Sequence, residues 1–351
     1  MIVGIRVKHN QNMITKIALA IRIYLLWLVA LMASPSYAID QARCPPAIEK
    51  PTSEAMQFAM QNARDHGFLW RISKDGHTSF LYGTMHIAKL EWGFPGPDIM
   101  EALRATDTLA LELDIFDPDI QKRMAEGFAK LHSIALPDRL AKRIRRQADI
   151  LCVPFDSIAK LPPEIQLMSL ELFVGRWDGL DPSYAIDGIL SAIGHGAKKT
   201  VISLETPESQ IKIIKMHNLK ETKAIVDIEL SDLETERART MVNRISRSWA
   251  NSDYADLERF KEWCACLDTN IERDLMKRVL DDRNPNLASR IDALHLGGKR
   301  VFAAVGSLHM FGPMGLPALM AQRGYLVEQL LQDTSIQPSS SPAATVQGSE
   351  N

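Results

Sequence analysis

The chain has 351 residues, with 41 Lys and Arg against 43 Asp and Glu, for a formal charge of −2. That balance gives it no electrostatic reason to seek nucleic acid or anionic lipid. Its length allows one large domain or two small ones, with ample core.

The first acid is Asp40, whereas Arg6, Lys8, Lys16 and Arg22 are all basic. Ile23 to Ala33 is an uninterrupted apolar run, too short for a comfortable membrane span. Ser36-Tyr37-Ala38 places small residues where a signal peptidase reads. Residues 1–38 therefore read as a signal peptide cleaved after Ala38, with an uncleaved anchor as the rival. Removing them would leave 37 basic and 43 acidic residues. No later segment is apolar enough to span a membrane, so the expectation is a periplasmic or secreted protein. Residues 39–67 form an N-terminal extension. All four cysteines, Cys44, Cys152, Cys264 and Cys266, fall in the exported part, where disulfides are favoured. Cys264 and Cys266 are close in sequence, and each is expected to bond Cys44 or Cys152 rather than its neighbour. A thiolate metal site is the rival, but there is no Cys-x-x-Cys unit.

Phe68–Ile72 and Thr78–Tyr82, joined through Lys74-Asp75-Gly76, read as a β-hairpin. Pro97 to Ala105 reads as a short helix opened by proline. Thr108 to Leu113 follows as a buried strand. Residues 117–150 are helical with a break at Pro137, and Pro162-Pro163 opens a helix through Phe173. Tyr184 to Ala197 carries Ile186, Ile189, Leu190 and Ile193 near helical spacing. Lys199 to Leu204 is a strand, and Thr206-Pro207-Glu208 is a helix start. Residues 221–282 are polar and helical with no strand signal, as in a helical insertion or lid. A helix over 285–297 stops at Gly297-Gly298. A strand from Val301, a helix from Leu316 to Gln322 and a strand from Tyr325 to Leu330 complete a domain of residues 68–332. Ser, Pro, Gln and Gly dominate the tail at 333–351, which reads as disordered. Alternating strands and helices imply an α/β class: a mixed sheet flanked by helices.

One pattern occurs twice. Leu81-Tyr82-Gly83-Thr84-Met85-His86 and Val305-Gly306-Ser307-Leu308-His309 each end an apolar strand at Gly-x-x-His, with Gly-Pro soon after. The glycines permit backbone geometry that other residues resist. Glu112 and Glu205 also end predicted strands, and ligands collect at the carboxyl ends of strands in open α/β sheets. Two histidines plus a carboxylate are the inventory of an open divalent-metal site that activates water. His86, Glu112 and His309 fit it. A lone buried carboxylate like Glu112 is costly unless paired, so a salt bridge is the alternative. Asp187 is placed to orient a ligand histidine, while Glu205 either joins the site or caps a helix. Arg283 and Asn284 either hold a substrate's charged end or cap the next helix. His195 and His217 read as surface residues. Ser307 is not in a nucleophile elbow.

These motifs, taken with Leu109 to Asp114, Ile202 to Thr206, Arg283-Asn284, Gly315-Leu316-Pro317 and Arg323-Gly324-Tyr325, resemble the TraB/PrgY/GumN family from about Phe68 to Leu330. The family includes the Tiki proteases, and the resemblance implies that His86, His309 and Glu112 form a metal-dependent catalytic set. It also implies a fold like that of the haem-binding ChaN-like proteins and the erythromycin esterases. The expectation is an exported metal-dependent hydrolase, a peptidase with Mn, Co or Zn, acting on a peptide or small molecule. The alternatives are a non-catalytic binding protein for haem, metal or peptide, and an esterase using a His base without metal.

Overall fold

The computed structural model describes residues 44–331, except Ala47, His132 and Ser133. The expected signal peptide and the tail from residue 333 lie outside the described residues. Six strands, β1 (Phe68–Lys74), β2 (His77–Thr84), β3 (Thr108–Leu111), β4 (Thr200–Ser203), β5 (Val301–Gly306) and β6 (Leu326–Gln329), form one sheet in the order β4-β3-β5-β2-β1-β6. β2 to β5 run parallel to one another, and β1 runs antiparallel to both of its neighbours. The expected mixed α/β sheet is present.

Local chemistry explains the elements. Asp75 and Gly76 both have positive φ, 51° and 76°, as a two-residue turn of matching twist requires. β3 and β5 are buried almost throughout and read as continuous apolar runs, because helices cover both faces of the sheet. Their core holds Phe68, Leu81, Leu109, Leu111, Phe302 and Val305. Ile99 and Leu103 join it from the Pro97–Ala105 helix, and Leu287 and Ile291 from Asn284–Leu296. Crossovers between parallel strands carry the helices, and the chain places the carboxyl ends of β2, β3, β4 and β5 along one edge.

The region read as a helical insertion is a series of helices with short non-helical links and no strand, from Leu219–Glu234 to a π-helical turn at Lys277–Asp281. It does not stand alone. Leu140, Ile144, Leu167 and Leu170, from the Asp138–Ile150 and Pro163–Val174 helices, share a second core with Val226, Leu230 and Leu233. Among the described residues no helix is long and apolar enough to cross a membrane.

One sequence expectation, the cysteine pairing, is corrected here. Cys44 pairs with Cys152, and Cys264 pairs with Cys266. Ala265 between them takes φ 49°, which brings the two Cα atoms to 5.1 Å, within disulfide reach. His195 is exposed, as expected, and its Nε2 lies 2.8 Å from Oδ2 of buried Asp114, whose Oδ1 accepts from Ser191. That cluster ties the segment after β3 to the Ile186–Gly196 helix.

Candidate active site

The paired Gly-x-x-His motifs lie side by side. β2 and β5 are parallel neighbours with Thr84 opposite Gly306, so the two strands end in register. The Ser307 hydroxyl donates to the Thr84 carbonyl at 2.7 Å and links the motifs. This holds Ser307 buried and bonded, away from any nucleophilic role.

The glycines serve proximity rather than unusual dihedrals. Gly306 has φ −51° and ψ 137°, open to any residue. A methyl group at Gly83 would lie 3.1 Å from the Ser307 Cα, so that glycine lets the two turns touch. A methyl group at Gly306 would point into the site, 3.3 Å from Glu112 Oε1, 3.7 Å from His86 Nε2 and 3.7 Å from His309 Cδ2. The three residues predicted to act together thus face one point above Gly306.

Each is held differently. The loop carrying His86 is fixed to the segment before the Ile186–Gly196 helix, where Ile186 N–H donates to the Met85 carbonyl and Ala88 exchanges hydrogen bonds with Asp181. That places Asp187 Oδ1 3.1 Å from His86 Nδ1. The Asp187 charge, with help from Glu112, raises the His86 pKa to about 9. The His86 side chain is 58% exposed.

Glu112 directly follows β3. Its Oε1 accepts from the Gly306 N–H at 2.7 Å, and its Oε2 accepts from Arg283 and from Gln210. Burial works against its ionisation, but His309, Arg283, His86 and the Gly306 amide together bring its pKa down to about 2. His309 is itself neutral above a pKa that burial lowers to about 4, so Arg283 and His86 carry this effect at neutral pH.

Arg283 is the hub. Its Nε donates to Glu205 Oε1 at 2.9 Å, a second nitrogen binds both Glu205 and Glu112, and the third donates to His309 Nε2 at 3.0 Å and to the Val279 carbonyl at 3.0 Å. The π-helical turn just before it explains the last contact. The Lys277 carbonyl accepts from Asp282 N–H, five residues on, and the Arg283 N–H bonds Leu280, leaving the Val279 carbonyl to the guanidinium. Glu205 is therefore a site carboxylate and not a helix cap; Thr206 caps that helix through Ser209. Arg283 starts the next helix without a side-chain cap. Asn284 binds His309 Nδ1 through Oδ1 at 2.6 Å and donates to the His309 and Met314 carbonyls.

Sequence reasoning missed Gln210, whose Nε2 donates to Glu205 at 3.0 Å and Glu112 at 3.3 Å. Its signal was positional. With Thr206 as N-cap, Glu205 and Gln210 occupy the two positions that a hydrophobic staple would join, here filled by a polar pair.

As a metal site the residues fit in part. His86 Nε2 and Glu112 Oε1 are directed at the shared point, but His309 turns a ring carbon toward it, and both its nitrogens have protein partners. No group of three His, Cys, Asp or Glu among the described residues is arranged to hold a metal ion.

The family model described as the TraB/PrgY/gumN family matches residues 68–329, about three quarters of the chain. No curated protein and no solved structure matches it.

Proposed function

We propose, on the premise that the chain belongs to the TraB/PrgY/gumN family, that it is an exported hydrolase whose water-activating pair is His86 and Glu112. The observation that carries this is their convergence on the point above Gly306. Asp187, accepting at Nδ1, fixes the ring orientation that presents His86 Nε2 to that point. The Gly306 amide holds Glu112 Oε1, while Arg283 and Gln210 hold Oε2, so the carboxylate stays ionised and does not swing. A divalent ion held there by His86 and Glu112, whether Mn, Co or Zn, would lower the pKa of bound water and polarise a scissile carbonyl. Acyl hydrolysis, with a peptide as the preferred substrate class, follows from that chemistry and from the family resemblance. Two disulfides suit an oxidising compartment and support export.

A second reading, metal-free hydrolysis with His86 as base above its pKa of about 9, is favoured by one observation: Arg283 already supplies positive charge beside Glu112. Exhaustive chelation separates the two. The main test assays the mature chain and its His86→Ala and Glu112→Ala variants on a peptide library with added Mn, Co or Zn, measuring bound metal alongside. Cleavage by wild type and not by the variants is expected. A folded wild type that cleaves nothing would overturn the hydrolase reading.

A further inference from the structure

We infer that His309 is a positioning residue and not a metal ligand: its imidazole serves Arg283, and the ion-binding donors of the site are His86 and Glu112. This rests on the hydrolase reading above and concerns the role of one histidine within it.

The tautomer follows from donor and acceptor types. Asn284 donates its amide hydrogens to the Met314 carbonyl at 2.7 Å and the His309 carbonyl at 3.3 Å, so its Oδ1 faces the ring. The oxygen can only accept, so His309 Nδ1, 2.6 Å away, carries the hydrogen. Nε2 of the neutral ring then holds a lone pair, and Arg283, which can only donate, points a nitrogen at it from 3.0 Å. A metal would need that same lone pair.

The ring is not at liberty to turn. A half-turn about its bond to the chain would exchange Nδ1 with Cδ2 and Nε2 with Cε1, so that both nitrogens leave their partners. His309 is 3% exposed, and Asn284 and Arg283 would be left with buried polar atoms facing carbon. Arg283 cannot simply follow the ring, because its other contacts are the paired bonds to Glu205 and the carbonyl released by the π-helical turn. His86 has the opposite arrangement: one nitrogen on a carboxylate and the other directed at the shared point, the usual dress of a ligand histidine.

Metal titration of the folded protein tests this, with Mn, Co and Zn each used alone. His86→Ala and Glu112→Gln should lose affinity by at least about a hundredfold, as expected for removed ligands. His309→Gln, which can still offer Arg283 an acceptor, should keep wild-type affinity within a few-fold. A loss in His309→Gln as large as in His86→Ala overturns the inference. The nitrogen resonances of His309 give a readout independent of turnover. Nε2 should stay unprotonated and unmoved on adding Zn, and should move in Arg283→Lys, which keeps the buried charge but not the fork. A Zn-dependent shift at Nε2, or no response to Arg283→Lys, also overturns it. If wild type binds none of the three ions, the metal part of the proposed function fails, and the Arg283→Lys resonance alone decides the role of His309.

Discussion

Gly306→Ala separates the reaction space from the fold. The backbone there, at φ −51° and ψ 137°, suits alanine as well as glycine. Replacing glycine at a compatible position stabilises by about 0.4–1 kcal/mol through the unfolded state. Against this, the new methyl lies 3.3 Å from Glu112 Oε1, a contact relieved by a shift of a few tenths of an ångström. The two effects are of similar size, and the melting temperature should change by no more than a few degrees. The methyl nevertheless fills the point on which His86 Nε2 and Glu112 Oε1 converge. Reacting groups displaced by about 1 Å lose on the order of a hundredfold in rate. Peptide hydrolysis, with Mn affinity as a second readout, should therefore collapse in a protein that melts like wild type. Gly83→Ala is the contrast, since its methyl meets the Ser307 Cα at 3.1 Å and must push backbone. It should lower both stability and activity. Wild-type hydrolysis by a folded Gly306→Ala protein would show that the chemistry happens elsewhere.

Other outcomes follow from the same contacts. Arg283→Met strands the buried carboxylates of Glu112 and Glu205 and should cost about 3–5 kcal/mol in urea unfolding; a change under 1 kcal/mol would refute its place as their counter-charge. Glu171 and Glu229, on the helices that share the second core, are raised by burial and then by neighbouring carboxylates, Glu171 to about 7. Both folded pKa values exceed the unfolded one, so the Glu171 contribution is fully present below pH 4.5 and is lost as pH climbs through about 7. Glu171→Gln should flatten the fall in melting temperature between pH 5 and pH 8, and an unchanged slope would exclude Glu171 as its source. Cys44→Ser with Cys152→Ser opens a link of 108 residues and should lower stability by up to about 5 kcal/mol. The two-residue Cys264–Cys266 link closes almost no loop, and its removal should change the urea midpoint far less.

Much of the site was readable because it sits where periodic strands stop. His86, Glu112, Glu205 and Gly306 each follow an apolar run that the pattern marks as buried. The parallel topology then brings those endings to one edge. What was not readable was which charge pairs with which. Glu205 reads equally as a cap or a site carboxylate until Arg283, 78 residues later, is seen beside it. The cysteine pairing escaped for a different reason. Sequence spacing alone suggested that Cys264 and Cys266 were too close to bond, and only the left-handed Ala265 between them makes the closure.

The repeat itself was read too symmetrically. In register, Thr84 and Gly306 are equivalent, and each motif delivers a histidine three residues after its glycine. The chain then diverges. After β2 it leaves the sheet in an open loop braced by Asp181 and Asp187, and His86 keeps one nitrogen toward the cleft. After β5 it winds into a single tight turn, Ser307–Met310, that carries His309 inward against Asn284 and Arg283. A histidine with one carboxylate neighbour and an open second nitrogen can, above its raised pKa of about 9, give that nitrogen's lone pair to a ligand. A histidine enclosed between an amide oxygen and a guanidinium has already committed both nitrogens. Equal spacing in sequence therefore gives two chemically unequal residues. The difference lies in the residues after each glycine, where one segment bends away into an open loop and the other coils into a single turn.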